Sequence, residues 1–225
     1  MSSREENLLR LEGTQNPIHN REYLVYYFLY KSLTYAINTF AKGNLLDIGC
    51  GNKPYAHWIN PKVDSYVGCD IVQSSKNNVD ILCPANAIPL DSNQFDTIIS
   101  TQTIEHLGDY KGMLKEAFRL LKSGGSFIVS GPMYWPLHEE PYDFHRFTKH
   151  GFEFELKTAG FEELIILPNG GKWALMGQVI AQTLPTWLVA FKLTRILHNK
   201  FYKWLDEKYF DPSNTMNYVV IAKKV

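Results

Sequence analysis

The sequence predicts an α/β protein built on an open, mainly parallel sheet with helices packed against it. Three observations predict it. Apolar runs of strand length alternate with segments of helical periodicity. The first of these runs leads into a glycine turn, Gly49-Cys50-Gly51. The chain has 225 residues, 45% of them hydrophobic and 20% charged, which suffices for one good core and is short for two.

The elements follow in order. Residues 21–40 are aromatic-rich and read as a helix ahead of the first strand. Strand-like runs lie at residues 44–48, 66–71, 79–82, 95–100, 126–130, 163–167 and 218–222. The clearest helix is 110–122, where Met113, Leu114, Ala117, Phe118 and Leu121 fall on one face. Gly124-Gly125 is expected to stop it. Residues 172–208 read as a long helical insertion interrupted at Pro185. The expected organisation is a single domain, 1–225. It comprises an N-terminal helical segment (1–43), a ligand-binding core (44–171), the insertion (172–210) and a final strand (216–225).

Charge and cysteine usage narrow the function classes. Lys plus Arg equals Asp plus Glu at 23 each, so no global field draws in nucleic acid, and none is expected as a partner. Cys50, Cys69 and Cys83 show no metal-ligand spacing and read as small core residues in a reducing cytoplasm; no metal is expected. The polar start, residues 1–10, does not read as a secretory signal. Residues 173–191 carry no charge, yet Gln178, Gln182, Thr183, Pro185 and Thr186 argue against a membrane span.

The chemistry begins at the first strand, which runs into Leu45-Leu46-Asp47-Ile48-Gly49-Cys50-Gly51. Glycines at a strand's carboxyl end let the backbone approach a ligand where a Cβ would clash. Asp47, just before the turn, suits a cationic amino group. Nineteen residues after Gly51, the next strand ends at Asp70, placed to accept from two ribose hydroxyls, with Ile71 beside it for an adenine face.

This run resembles motif I of the class I S-adenosylmethionine-dependent methyltransferases. Ala87-Ile88-Pro89-Leu90, continuing to Phe95-Asp96, is similar to that family's entry to its fourth strand. Residues 98–107, with Glu105-His106, are similar to the segment that follows, and Leu120-Leu121-Lys122-Ser123-Gly124-Gly125 to the turn before the fifth strand. The resemblance implies a Rossmann-like seven-stranded, mostly parallel sheet, helices on both faces and an antiparallel last strand. It implies S-adenosyl-L-methionine as cofactor, with Asp47, Gly49, Cys50 and Gly51 around its methionine part, Asp70 on ribose and Ile71 beside adenine. Thr101 and Gln102 would lie under the cofactor and His106 near the methyl-transfer cleft. Two positions depart from the pattern. Lys53 stands where a third glycine is frequent, and Pro84 where an acidic residue is frequent, so Ala85 and Asn86 are expected to serve adenine instead.

The loop after the fifth strand, residues 131–148, is dense in titratable and aromatic groups. It is expected over the reacting methyl group. His106, His138, Asp143 and His145 are the catalytic candidates, because histidine titrates near neutrality and a carboxylate orients it. Tyr134, Glu139, Tyr142 and Arg146 are the acceptor-binding candidates. The alternative use of these polar groups is to satisfy one another. His19, His57, His150 and His198 read as surface or packing residues. The loop is similar to a "HEEPYDFxRFT" segment in a type 11-like bacterial subgroup of the family, some of whose members serve cell-surface polysaccharide or glycolipid pathways. A small-molecule, saccharide or lipid-linked acceptor, methylated at oxygen, is therefore expected. The first helix is read as core, or as a lid with Arg21 or Tyr23 near the cofactor. The aromatic and basic residues of 173–204 suit a cap, a homodimer contact in a protein otherwise monomeric, or peripheral membrane contact. Two rival functions remain. One is an NAD(P)-dependent oxidoreductase, disfavoured because Pro54 occupies the third position of its glycine pattern. The other is a non-catalytic protein that binds S-adenosylmethionine.

Overall fold

The computed structural model describes residues 13–185 and 191–225. Its helices are α1 (Tyr23–Phe40), the short α2 (Ala56–Ile59), α3 (Tyr110–Leu120), α4 (Lys149–Thr158), α5 (Lys172–Thr183) and α6 (Lys192–Lys208). Its strands are β1 (Asn44–Ile48), β2 (Ser65–Asp70), β3 (Ile81–Leu82), β4 (Phe95–Thr101), β5 (Leu121–Pro132), β6 (Glu162–Asn169) and β7 (Asn217–Lys223). They form one sheet in the order β3-β2-β1-β4-β5-β7-β6. The first five strands pair in parallel, and β7 inserts antiparallel between β5 and β6. This is the seven-stranded Rossmann-like arrangement the sequence predicted.

Strand alternation divides the core into two layers. Leu46, Ile48, Ile98, Phe127 and Val129 pack with residues of α3 and α4, whereas Leu45, Ile99, Ile128, Val219 and Ile221 pack with α1. Successive side chains of a strand point to opposite faces, so a sheet covered on both sides buries nearly every residue of its central strands. In α3, Met113, Leu114, Ala117 and Leu120 are buried, each large side chain contributing about 2 kcal/mol. Asp109 caps this helix by accepting from the Gly112 amide.

Three expectations are corrected. The third helix ends at Leu120 rather than 122, because Leu121 already pairs with Phe95 and the Gly124-Gly125 turn lies within β5. The strand expected over 79–82 shrinks to Ile81–Leu82 at the sheet edge. Arg21 is no lid: its guanidinium donates to the carbonyls of Ala181, Gln182 and Leu184, where it closes the end of α5. The uncharged stretch 173–191 is divided, with α5 ending at Thr183 and residues 186–190 lying outside the described residues. Among the described residues, no helix is long and apolar enough to cross a membrane.

Candidate functional site

The carboxyl ends of β1, β2 and β4 open into a cleft of about 1000 Å³. That is where ligands bind in open α/β sheets. Its floor is backbone. Gly49 (φ +76°) and Gly51 (φ +48°) adopt left-handed conformations, and a Cβ on Gly49 would collide with the Thr103 side chain. Lys53, at the position where glycine is frequent, also has positive φ, 52°, so the turn keeps a glycine-like shape without the glycine. Its ammonium pairs with Asp80 and lies 4.7 Å from the Tyr66 ring centroid.

Two carboxylates stand at the turn. Asp47 is buried and accepts a 2.6 Å hydrogen bond from the Tyr66 hydroxyl. Burial pushes its carboxyl up to about 7, opposed by that hydrogen bond and by nearby Lys53. Asp70 bridges β1 and β2 by accepting from the amides of Gly51 (3.1 Å) and Ile71 (2.7 Å). Beside it, Ile71 and Val72 line the cleft with 58% and 41% of their surface exposed. Large apolar side chains left open in a cleft are a surface for a ligand to cover. Cys50, Ala85, Asn86, Thr101 and Gln102 also line it. The Asn86 amide donates to Asp109, and the Gln102 amide side chain donates to Ser130. Gln102 itself has φ 51° at the end of β4.

The opposite wall is the loop 133–148. Its anchors are backbone bonds: Met133 and Tyr134 amides donate to Met216, Phe147 to Pro132, and Phe144 and His145 to the Glu105 carbonyl. The charges within it hold one another. Arg146 grips both oxygens of Asp143 at 2.6 and 2.7 Å and also donates to the carbonyls of Trp135 and His145. This guanidinium and the His138 amide hold the Asp143 carboxyl down at about 2, against its burial. His145 packs edge-on to Tyr110 and away from the cleft, with its buried Nε2 lacking a hydrogen-bond partner. The structure thus brings His106, His138, Glu139 and Tyr142 to the cleft lining and leaves Tyr134, Asp143, His145 and Arg146 outside it.

At the meeting of the two walls is a group the sequence reading only half anticipated. Glu105 lies beneath His106, 1% exposed, on a short 3₁₀ turn, Ile104–His106. Its Oε2 is buried without a hydrogen-bond partner, and burial pushes its carboxyl up to about 8. The His106 ring stands 4.8 Å from the His138 ring, centroid to centroid. Burial and this neighbouring imidazole lower the His138 pKa. The Glu105-His106 dipeptide was visible in the sequence; the burial that sets its chemistry was not. Thr103, Trp135 and Asp109, also lining the cleft, carry no signal in a single sequence.

A glycine-floored cleft at strand ends, with a carboxylate on each of two neighbouring strands and β7 antiparallel, defines a Rossmann-like methyltransferase fold. Comparison with known proteins agrees. Residues 46–129 match a family profile described as a methyltransferase domain. Over this segment the chain is similar to S-adenosylmethionine-dependent methyltransferases. A probable S-adenosylmethionine-dependent methyltransferase of Mycolicibacterium smegmatis is 31% identical over 133 residues, 53% of this chain and 52% of that protein. A ubiquinone/menaquinone C-methyltransferase of Cronobacter sakazakii is 35% identical over 81 residues, 34% of this chain and 32% of that one. The chain spans about half or less of the length of these relatives. Among solved structures, a methyltransferase from Archaeoglobus fulgidus superposes with a TM-score of 0.58 at 19% identity, covering 91% of this chain and 95% of that one. A [4+2]-cyclase superposes with a TM-score of 0.57 at 17% identity, covering 88% and 80%. At these identities the likeness establishes the fold.

The family's cofactor is S-adenosyl-L-methionine. The residues present fit it: a buried carboxylate at Asp47 for an ammonium, a Cβ-free approach at Gly49, and open apolar surface at Ile71 and Val72.

Proposed function

We propose that this chain catalyses methyl transfer from S-adenosylmethionine to an oxygen of a small-molecule, saccharide or lipid-linked acceptor. The observation that carries the reading is the meeting, in one cleft, of the glycine floor with its two carboxylates and the Glu105–His106–His138 group. Asp47 holds the ammonium of the methionine part, Asp70 the ribose hydroxyls, and Ile71 and Val72 the adenine. When bound, the cofactor supplies an electrophilic methyl carbon on a positively charged sulfur. The chain's own task is then to hold the acceptor oxygen about 3 Å from that carbon and to take its proton. Tyr142 and Phe144, each about half exposed on the cleft wall, cover the acceptor. The His106 and His138 rings are the proton acceptors, because both reach the cleft.

A lipid-linked acceptor is favoured by α6. Leu193, Leu197, Phe201 and Trp204 are exposed and share one face of this helix, with exposed Lys200 and Lys208 on the same side. An apolar stripe edged by cations matches the interface of an anionic bilayer. The Cronobacter sakazakii relative is a C-methyltransferase and a further relative, of Aphanothece halophytica, is a sarcosine/dimethylglycine N-methyltransferase, so the oxygen assignment rests on the basic group in the cleft. The test is release of S-adenosylhomocysteine from the cofactor with sugars, small hydroxylated molecules and membrane lipid extracts as acceptors. Turnover with a lipid or saccharide fraction is expected. A protein that binds the cofactor tightly but turns over with none of them would be a binder and not an enzyme.

A further inference from the structure

The histidines at the meeting of the walls are oriented in a way proton transfer alone does not require. His106 Nδ1 lies 2.7 Å from the Tyr142 carbonyl and so donates to it. In the neutral ring, Nε2 is then a lone pair. Two carboxylates converge on that atom, Glu139 Oε1 at 3.7 Å and Glu105 Oε1 at 4.0 Å. His138 repeats the pattern, its Nδ1 lying 3.3 Å from both the Pro136 carbonyl and Asp143 Oδ2. Both imidazoles therefore have Nδ1 fixed from behind and Nε2 left as the free electron pair. Lone pairs and carboxylate oxygens facing one another repel unless a proton or a metal cation lies between them.

We propose that Glu105, His106 and His138 form a binding site for one divalent transition-metal ion of the zinc type. One ligand atom from each lies within 4.8 Å of the others. A point then exists about 2.8 Å or less from all three, and about 0.7 Å of side-chain adjustment reaches the ~2.1 Å of a zinc–nitrogen or zinc–oxygen bond. Two imidazoles and a carboxylate are a zinc donor set, and a back-side partner on each Nδ1 is the outer-shell device that orients ligating histidines. The second, independent sign is Glu105 Oε2, buried, without a hydrogen-bond partner, on a side chain that lines the cleft. A fourth position faces the cleft, so the ion has an open site for an acceptor hydroxyl. An oxygen bound there gives up its O–H proton near neutrality. With both rings then serving as ligands, the proton passes to Glu139 instead of to His106 or His138, and the oxygen keeps the electron pair with which it bonds to the methyl carbon as the carbon–sulfur pair returns to sulfur. This role rests on the methyl-transfer reading; the binding of the ion does not.

The sequence shows no such site because helix α3, strand β5 and the start of the proline-containing loop separate Glu105-His106 from His138. The experiment is to strip the full chain with chelator, add Zn²⁺, and measure retained metal after gel filtration. Co²⁺ serves as a second probe through its visible absorption. One equivalent of Zn²⁺ and an intense Co²⁺ band of four-coordinate type are expected. Glu105→Gln and His138→Asn should each weaken Zn²⁺ binding at least 100-fold while the affinity for S-adenosylhomocysteine stays within threefold. If Glu105→Gln fails to fold, His138→Asn on the loop decides. Failure of the wild-type chain to retain Zn²⁺ or Co²⁺ overturns the proposal. So does retention undiminished in a variant that still binds S-adenosylhomocysteine. Either result leaves cofactor binding standing, so it does not touch the methyl-transfer reading.

Discussion

The two walls of the cleft are made of different material. The cofactor wall is the ends of three parallel strands, and its contacts come from backbone turns and from carboxylates fixed by neighbouring amides at Asp70 and by the Tyr66 hydroxyl at Asp47. The acceptor wall is a loop whose charged residues spend themselves on each other, with Arg146 closed around Asp143. The first wall is rigid because the sheet is. The second is rigid because a salt bridge and backbone bonds to Glu105 and Met216 make it so. Two regions equally rich in polar groups thus do opposite things, one offering its groups to a ligand and the other mostly consuming them.

The sharpest way to break this contrast is Arg146→Ala. Asp143 has 1% side-chain exposure, and stranding a buried carboxylate costs about 3 kcal/mol. Denaturant unfolding should register that loss, while cofactor affinity changes little. Because the folded-state pKa of Asp143 is lowered to about 2, the bridge's contribution is complete above about pH 4 and fades as pH falls toward 2. The variant should lack that acid-side decline.

Next in size is His106→Ala, expected to cut turnover by about 100-fold with cofactor affinity unchanged. Equal losses of both would assign the ring to the cofactor wall. Asp70→Ala should weaken S-adenosylhomocysteine binding at least tenfold by calorimetry, about 1.4 kcal/mol. An unchanged isotherm would remove the ribose role.

The smallest effect is the most diagnostic. With its carboxyl at about 7, Asp47 is largely protonated below that pH and charged above it. Cofactor affinity should climb as pH rises from 6 to 8, by less than tenfold per unit. The raised value also means that burying this group costs the ligand-free protein stability as pH rises from about 4 to 7. Asp47→Asn should therefore bind the cofactor more weakly, lose the pH dependence, and be more stable than the parent at pH 8.

The same contrast explains what the sequence revealed. The placement of Asp47, Gly49, Gly51 and Asp70 at strand ends lining the cleft was legible because a strand end fixes its own geometry within a few residues. The parallel sheet was legible from alternation. The roles of His138, Asp143, His145 and Arg146 were not, because seven titratable residues within nine positions have several ways to pair. Only the folded loop selects Asp143 with Arg146 and turns His145 toward Tyr110. Glu105 was quoted in the sequence as part of a resemblance, yet its burial depends on carbonyl contacts made by residues about forty positions further along. Helix α3 was overextended for a related reason: periodicity continues through Leu121, but pairing with Phe95 claims that residue for the sheet.

The position of β7 carries a consequence for biosynthesis. The strand that joins β5 to β6 is made after both of them. Until residues 217–223 emerge, five strands can pair but β6 has no strand to pair with and β5 keeps one edge open. Maturation of the domain in the cell is timed by the arrival of those seven residues, and a chaperone that shields exposed edges would find its client there.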